Sequence, residues 1–438
     1  MSKDSVFFDK AKIANIFFYS FPLLMLIGPA MINIALLIIL ILCLINLRII
    51  SLSLNNFYLI LLFFWIYITL SSFFSDNIFL SFKTSFSQIK FYTMLIFLFL
   101  YLDLKNKNIQ NKASFFWSII LLFVCFDTNF QNLCGLDIFG YKAEGYNHDV
   151  CKLLISKENI EDLIKIPVAL TTDRLSGPFG SELIVGAYLT KTSPFLFYYI
   201  LDNYNNFSLK KKLFFILILS IILQTVFISG ERTSFIIILT LYLFTFIKLF
   251  RKNLFKIFLI FILILLGLTQ FTPQFEKKRY KEIFQIANNY NDSSYGRLAN
   301  SSIEIFKENF IFGVGIKGFR QECPKINDKQ SDNQHPPCST HPHNGPLELA
   351  SETGIIGLLL FIFFIFFLVK KVMKDFKLKK PNHYFIFSNN IILLIVPLFY
   401  LTPVLPNGSL FTSWNGAFFW FSLGLSLSLS EKIKKIIY

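Results

Sequence analysis

The stretch His341-Pro-His-Asn-Gly-Pro-Leu-Glu-Leu-Ala-Ser-Glu-Thr-Gly354-Ile-Ile-Gly357 gathers residue types that can move a proton beside a charged group. It lies where a long polar segment gives way to an apolar run, Leu358 to Val369. Asn344 is a favourable N-cap and Pro346 suits a first helical turn, so His343 falls at or just before a helix N-terminus. Unpaired N–H groups and partial positive charge at that end favour an anion such as phosphate. The same field disfavours imidazolium, leaving His343 neutral and able to accept a proton. His341, two residues further from the helix start, is expected to matter little. Ala350 and Gly354, four apart, would let a second helix approach closely.

The arginines supply the complementary charge. Only seven of the 42 basic residues are Arg: Arg48, Arg174, Arg232, Arg251, Arg279, Arg297 and Arg320. A guanidinium grips phosphate oxygens with a planar fork and does not deprotonate, which a lysine cannot match. Arg174 sits in Asp173-Arg-Leu-Ser-Gly-Pro-Phe179, and Arg232 in Gly230-Glu-Arg-Thr-Ser234. Arg297 opens a helical stretch, and Arg320 follows the glycine turn Phe312-Gly-Val-Gly-Ile-Lys-Gly-Phe319. No strand precedes that turn and no Gly-Lys-Ser/Thr follows it, so it reads as a tight turn and not as a nucleotide loop. The chain has no Asp-x-Asp pair to clamp a metal, and the arginines are the natural substitute. No metal or other cofactor is expected.

These residues need elements to hold them, and composition says which. The 438 residues are 54% hydrophobic with 56 Phe, and the apolar residues come in long uncharged runs. That is a polytopic membrane protein rather than a soluble domain. The net charge of +15 gathers in the short connectors between runs, a topological signal that argues against nucleic acid as partner. The first run has no small-residue cleavage site and reads as a retained span.

Runs of 17–22 apolar residues give an all-α fold of about twelve transmembrane helices. They fall near 13–29, 31–47, 57–74, 86–102, 113–127, 181–201, 213–229, 233–250, 254–271, 351–369, 384–402 and 411–429. Connector charges place both termini in the cytoplasm. The chain then divides into spans one to five (1–127), a first outer loop (128–180), spans six to nine (181–271), a large helical outer loop (272–350) and spans ten to twelve (351–438). Within the large loop, helices are expected over Glu276–Asn289 and Leu298–Asn309, separated by the turn Asn291–Gly296. All six residues of interest except Arg232, at the outer turn between spans seven and eight, lie in or beside the two long loops.

Six cysteines agree with this topology. Cys43 and Cys125 sit in spans as small apolar fillers. The pairs Cys134/Cys151 and Cys323/Cys338 fall in the two outer loops, which predicts an oxidising face and two local disulfides. A zinc site lacks its usual CxxC pair.

Four segments resemble, in order, the motifs of the O-antigen ligase and polymerase superfamily. They are Arg174-Leu-Ser-Gly-Pro-Phe, Gly-Glu-Arg232-Thr-Ser, Gly296-Arg297 through Gly313-Val-Gly315, and His343-Asn followed after nine residues by Gly354-x-x-Gly357. The last is the most specific. The resemblance implies a metal-independent glycosyltransferase of the bacterial inner membrane, with its active site facing the periplasm. The donor would be a polyprenyl diphosphate-linked glycan, and the acceptor lipid A–core in a ligase or another lipid-linked repeat in a polymerase. Carried over by motif, His343, Arg232 and Arg297 form the catalytic set. Arg174, Asn344 and Arg320 line the substrate. Glu231 departs from the family pattern, which has a small or hydroxyl residue before the arginine; a carboxylate beside a diphosphate clamp is tolerable only if it turns away. A protein-glycosylating member is a third possibility. The rival from another class is a lipid-linked glycan flippase, which would place charges along a central path. The expected spans are nearly free of them, Lys90 and Lys191 excepted.

Overall fold

The computed structural model describes residues 9–45, 56–142, 166–167, 174–249, 282, 286, 288–329, 338–377, 389–403 and 405–429. In chain order the helices begin with α1 (Lys10–Ile27), α2 (Pro29–Ile45), α3 (Asn56–Ser71), α4 (Ile78–Ser87), α5 (Ile89–Tyr101) and α6 (Lys107–Cys134). Then come α7 (Val185–Thr192), α8 (Pro194–Asn203), α9 (Leu209–Ile228) and α10 (Arg232–Leu249). The remainder are α11 (Ser294–Glu308), α12 (Phe319–Lys329), α13 (Gly345–Lys377), α14 (Ile392–Tyr400) and α15 (Ser413–Ser428). Among the described residues, β structure is limited to the parallel pairing of Tyr141–Lys142 with Ile166–Pro167.

Polar caps mark many helix starts, as the sequence chemistry requires. The side chains of Asp9, Asn77, Ser208, Ser293 and Thr412 each accept the backbone N–H three residues on. Five described helices are long and apolar enough to cross a membrane: α1, α6, α9, α10 and α13 over Gly345–Met373. Their apolar side chains face outward in numbers that only lipid could cover, as with Leu213, Phe214, Ile216 and Leu217 on α9. The chain is a membrane protein.

Two expected spans differ in form. The run 181–201 is two helices, because Pro194 cannot donate into the preceding turn and a new helix starts there. Of the eleventh, whose residues before 389 lie outside the described ones, Ile392–Tyr400 is an α-helix preceded by a short 3₁₀ turn. The ninth expected span, 254–271, and most of the loop helix expected over Glu276–Asn289 lie outside the described residues.

The chain forms two compact units, Met1–Ile109 with Asn289–Tyr438, and Gln110–Asn288. In the first unit α15 packs on α5 and α14, α13 on α3, and α11 on α12 and α13. Its apolar centre is aromatic. Phe21 stacks on Phe421 with centroids 3.5 Å apart, and Trp420 meets Tyr92, Phe361 and Phe364. A smaller core of Leu298, Ile305, Val314, Phe319, Cys323 and Ile326 joins α11 to α12, with Cys338 against it. In the second unit Trp117 packs on Phe195, and Asn129 of α6 donates to the Thr225 hydroxyl of α9.

Gly354 does not serve as a small residue for helix approach. It breaks α13, with φ 63° and ψ −173°. Into the break docks the turn after α11: Val314 N–H donates to Ser351 O (3.0 Å) and Ile355 N–H to Phe310 O (2.8 Å). The Tyr67 hydroxyl sits 2.8 Å from Thr353 O and 3.2 Å from Ile311 O, satisfying carbonyls that the break exposes. Gly313 is also left-handed, and a Cβ there would lie 2.5 Å from Glu352 C and Gly354 N. The two glycines fit together because neither has a side chain.

Alanine at Gly313 or Gly354 meets main chain on one side and an unfavourable φ on the other. Each is expected to destabilise the protein by about 2 kcal/mol or more. At Gly357 the added Cβ meets the side chain of Thr353 and the rim of Tyr67, so alanine there should cost less. Thermal unfolding of the three variants in nanodiscs checks this; Gly313→Ala or Gly354→Ala as stable as wild type would contradict it.

Candidate active site

The break and the turn docked into it fix the start of α13, and that start aims His343. Asn344 is the N-cap: its Oδ1 accepts from Leu347 N–H (3.2 Å) and its carbonyl from Glu348 N–H (2.8 Å). Its Nδ2 donates to Pro403 O at 2.6 Å. The side chain expected to line substrate is thus engaged by the protein at both ends, and it is 6% exposed. Gly345 follows because a Cβ would lie 2.5 Å from Tyr400 O.

His343 adopts φ 54°, a left-handed conformation that costs a non-glycine residue about 1–3 kcal/mol and needs support from its surroundings. Asn407 N–H donates to its carbonyl (2.9 Å). Its ring is boxed. Nε2 lies 3.2 Å from Ser339 Oγ, the Tyr295 ring meets it edge-on at 6.0 Å, and the His341 ring is 4.1 Å away. Burial is the main cause that holds His343 below the ordinary histidine range, with a hydrogen bond to the Asn407 main chain opposing it. Burial, more than the helix field, is thus what disfavours the charged form of the ring. His341 is pushed down to about 3 by burial first, then by His343, Lys317 and Arg320, with a hydrogen bond to the Asn407 main chain opposing them.

The disulfide Cys323–Cys338 is formed, with Cα atoms 5.9 Å apart. It ties α12 to the segment that carries Ser339 and the two histidines, and closing such a loop contributes about 3 kcal/mol on the chain-entropy model. Both sulfurs are thereby removed as metal ligands. Cys134 is disulfide-bonded as well; its expected partner, Cys151, lies outside the described residues. Cys43 and Cys125 are free and buried.

Arg297, in the first turn and a half of α11, and Arg320, at the start of α12, share the unit of His343. No side-chain carboxylate pairs with either guanidinium among the described residues. Arg174 and Arg232 belong to the other unit, and both are paired. Arg174 donates to Leu183 O (2.7 Å) and lies 3.5 Å from Glu231; Arg232 meets Glu282 at 2.6 Å. Glu231 does turn away from Arg232. Its two oxygens accept from Gly186 and Ala187 N–H (2.8 and 2.9 Å) and from Ser234 Oγ, capping α7 from outside. Burial raises Glu231 above the usual carboxylate range, and Arg174 opposes the shift.

The residues that sequence reasoning missed form a buried cluster in the same unit as His343. Lys317, 8% exposed and left-handed at φ 67°, donates from Nζ to Ser409 Oγ at 2.6 Å. Its charge faces Glu348 and Glu352, both buried. Glu348 accepts from Leu410 N–H (3.0 Å). Glu352 faces the Lys317 and Phe319 N–H groups without closing a full hydrogen bond to either. Two glutamates four apart on a helix were legible as one face; their lysine partner was not.

Residues 215–362 match the sequence profile described as O-antigen ligase. That span holds Arg232, Arg297, Arg320, His343 and Asn344, and leaves Arg174 outside. No curated protein and no solved structure matches the chain.

The two depressed histidines set a pH dependence of stability. The unfolded chain binds protons below pH ~6.5 that the folded site refuses, so stability falls as pH drops from 7 toward 5. His341→Phe removes the larger of the two penalties. The drop in thermal midpoint between pH 7 and pH 5 should be smaller in that variant; an equal drop would contradict the burial assigned to His341.

Proposed function

We propose, from the premise that this chain belongs to the O-antigen ligase and polymerase superfamily, that it transfers a polyprenyl diphosphate-linked glycan to a hydroxyl of lipid A–core. The observation that carries this reading is a part-buried imidazole whose Nε2 stands 3.2 Å from a hydroxyl, in one unit with two arginines that no carboxylate pairs among the described residues. Ser339 Oγ lies where an acceptor hydroxyl would give up its proton.

The step needs little else. The acceptor oxygen attacks the anomeric carbon, the C–O bond to the diphosphate breaks, and His343 Nε2 takes the acceptor's proton. The diphosphate leaves carrying the bond's electron pair. Its developing charge falls to Arg297 and Arg320, whose forks fit phosphate oxygens and need no metal. Asn344 serves by holding His343 at the helix start. Arg232 keeps the diphosphate-binding role and Arg174 the substrate-binding role that the resemblance implies. The Arg232–Glu282 pair is 22% and 37% exposed, open enough for a diphosphate to replace the carboxylate. The active face would be periplasmic, at the inner membrane, with both termini cytoplasmic. A polymerase would run the same chemistry on a lipid-linked repeat unit.

Reconstituted membranes carrying a polyprenyl diphosphate donor test this directly. His343→Ala should lower transfer by about two to four orders of magnitude while the protein inserts normally. Arg297→Lys keeps charge but loses the fork, and should weaken donor use about tenfold; Arg232→Lys should do likewise. Wild-type rates for His343→Ala would refute the site. Product analysis with lipid A–core and repeat-unit acceptors separates ligase from polymerase, and full inhibition by EDTA would overturn the metal-free account.

A further inference from the structure

His341 sits beside the proposed base, and three observations give it a task. Its ring centroid is 4.1 Å from that of His343, with the planes tilted by 46°. Its Nδ1 is 3.1 Å from Thr340 Oγ1, a bond within its own segment. Its Nε2 is buried and closes no full hydrogen bond, although the Asn407 main chain faces the ring. A buried polar atom without a full hydrogen bond costs free energy, so something else must keep the ring there. Water cannot reach that nitrogen, and neither can a ligand. What the ring does is cover His343.

The other groups around the His343 ring are few. Tyr295 of α11 meets it edge-on, Ser339 faces Nε2, and the Asn407 main chain hydrogen-bonds the ring. Lys317, the Asn407 main chain and Arg320 act on His341. With Ser339 and Asn407 on the ring's polar atoms and Tyr295 on one side, His341 packs on a part of the ring that these groups leave to it. Without it, water would reach the imidazole and solvate its charged form.

We propose that His341 is a positioning residue for His343, a wall that holds the imidazole in place and keeps it dry. The inference rests on the proton-accepting role proposed for His343. It reverses the expectation that His341 matters little, and it makes the shape of the ring more important than its nitrogens.

Phenylalanine keeps that shape and deletes a polar atom that closes no full hydrogen bond, a change that is nearly neutral when the surroundings fit. Alanine and serine open the wall. The experiment compares wild type, His341→Phe, His341→Ala and His341→Ser by the pH profile of transfer and by NMR titration of the ¹³C-labelled His343 ring. Opening the wall should raise the His343 pKa toward its ordinary value, because the charged form gains water. The acid limb of the profile should then move up by about one pH unit in the alanine and serine variants, which is about a tenfold loss at pH near the limb beyond any loss at the plateau. His341→Phe should keep the wild-type limb and the wild-type titration.

A uniform loss at all pH values, with the limb and the ring titration unmoved, would overturn the inference and leave a purely structural role. So would a shifted limb in His341→Phe, which would assign the task to the nitrogens. If alanine and serine variants do not fold, the phenylalanine titration decides alone: an unchanged His343 supports the wall, a raised one refutes it. His343→Ala in the same assay separates the two claims. Wild-type transfer in that variant sinks the proposed function, while the ring titrations still report on His341.

Discussion

Lys317, Glu348 and Glu352 are buried together in the unit that carries His343, and that sharing constrains the segments they come from. Removing a charge from water costs several kcal/mol, so Lys317, Glu348 and Glu352 are tolerable only in one another's company. They come from different segments. Lys317 ends the glycine turn, the glutamates lie on the first turns of α13, and Ser409, between α14 and α15, accepts from Lys317 Nζ. None of these segments can move away without stranding a buried charge. The left-handed backbone at Lys317 is held against its strain by this arrangement, and that at His343 by the Asn407 N–H on its carbonyl.

From that anchor the site's chemistry follows by exclusion of water. The turn that carries Lys317 docks into the break at Gly354, the break fixes the start of α13, and the start of α13 sets His343. A histidine in such a place stays neutral, and a neutral histidine can take a proton. Among the described residues no carboxylate pairs with Arg297 or Arg320, which leaves both guanidinium groups available to an anion. The arginines of the other unit are pre-paired, Arg174 with Glu231 and Arg232 with Glu282. Glu231, the departure from the family pattern, spends its charge on capping α7.

Local chemistry made much of this legible in the sequence. Ser293 and Asn344 announce helix starts by their side chains alone, and Cys323 with Cys338 announce a bridge by compartment and spacing. Pro194 was a readable break inside an apolar run, hidden because hydropathy ignores backbone donors. Gly354 was not readable: a glycine four residues from an alanine suggests helix packing, and only its φ reveals a break. Lys317 was masked by the glycines around it, and its partner Ser409 is 92 residues away. Contacts at that separation depend on the whole fold, and no window of sequence contains them.

The central claim is that an uncharged imidazole at position 343 removes the acceptor's proton. Chemical rescue tests it most directly. In a His343→Gly variant reconstituted with donor and acceptor, added imidazole should restore part of the lost transfer, in proportion to the concentration of its free base. Transfer that proceeds in this variant without imidazole, or a rescue that follows imidazolium instead of the free base, would contradict the account.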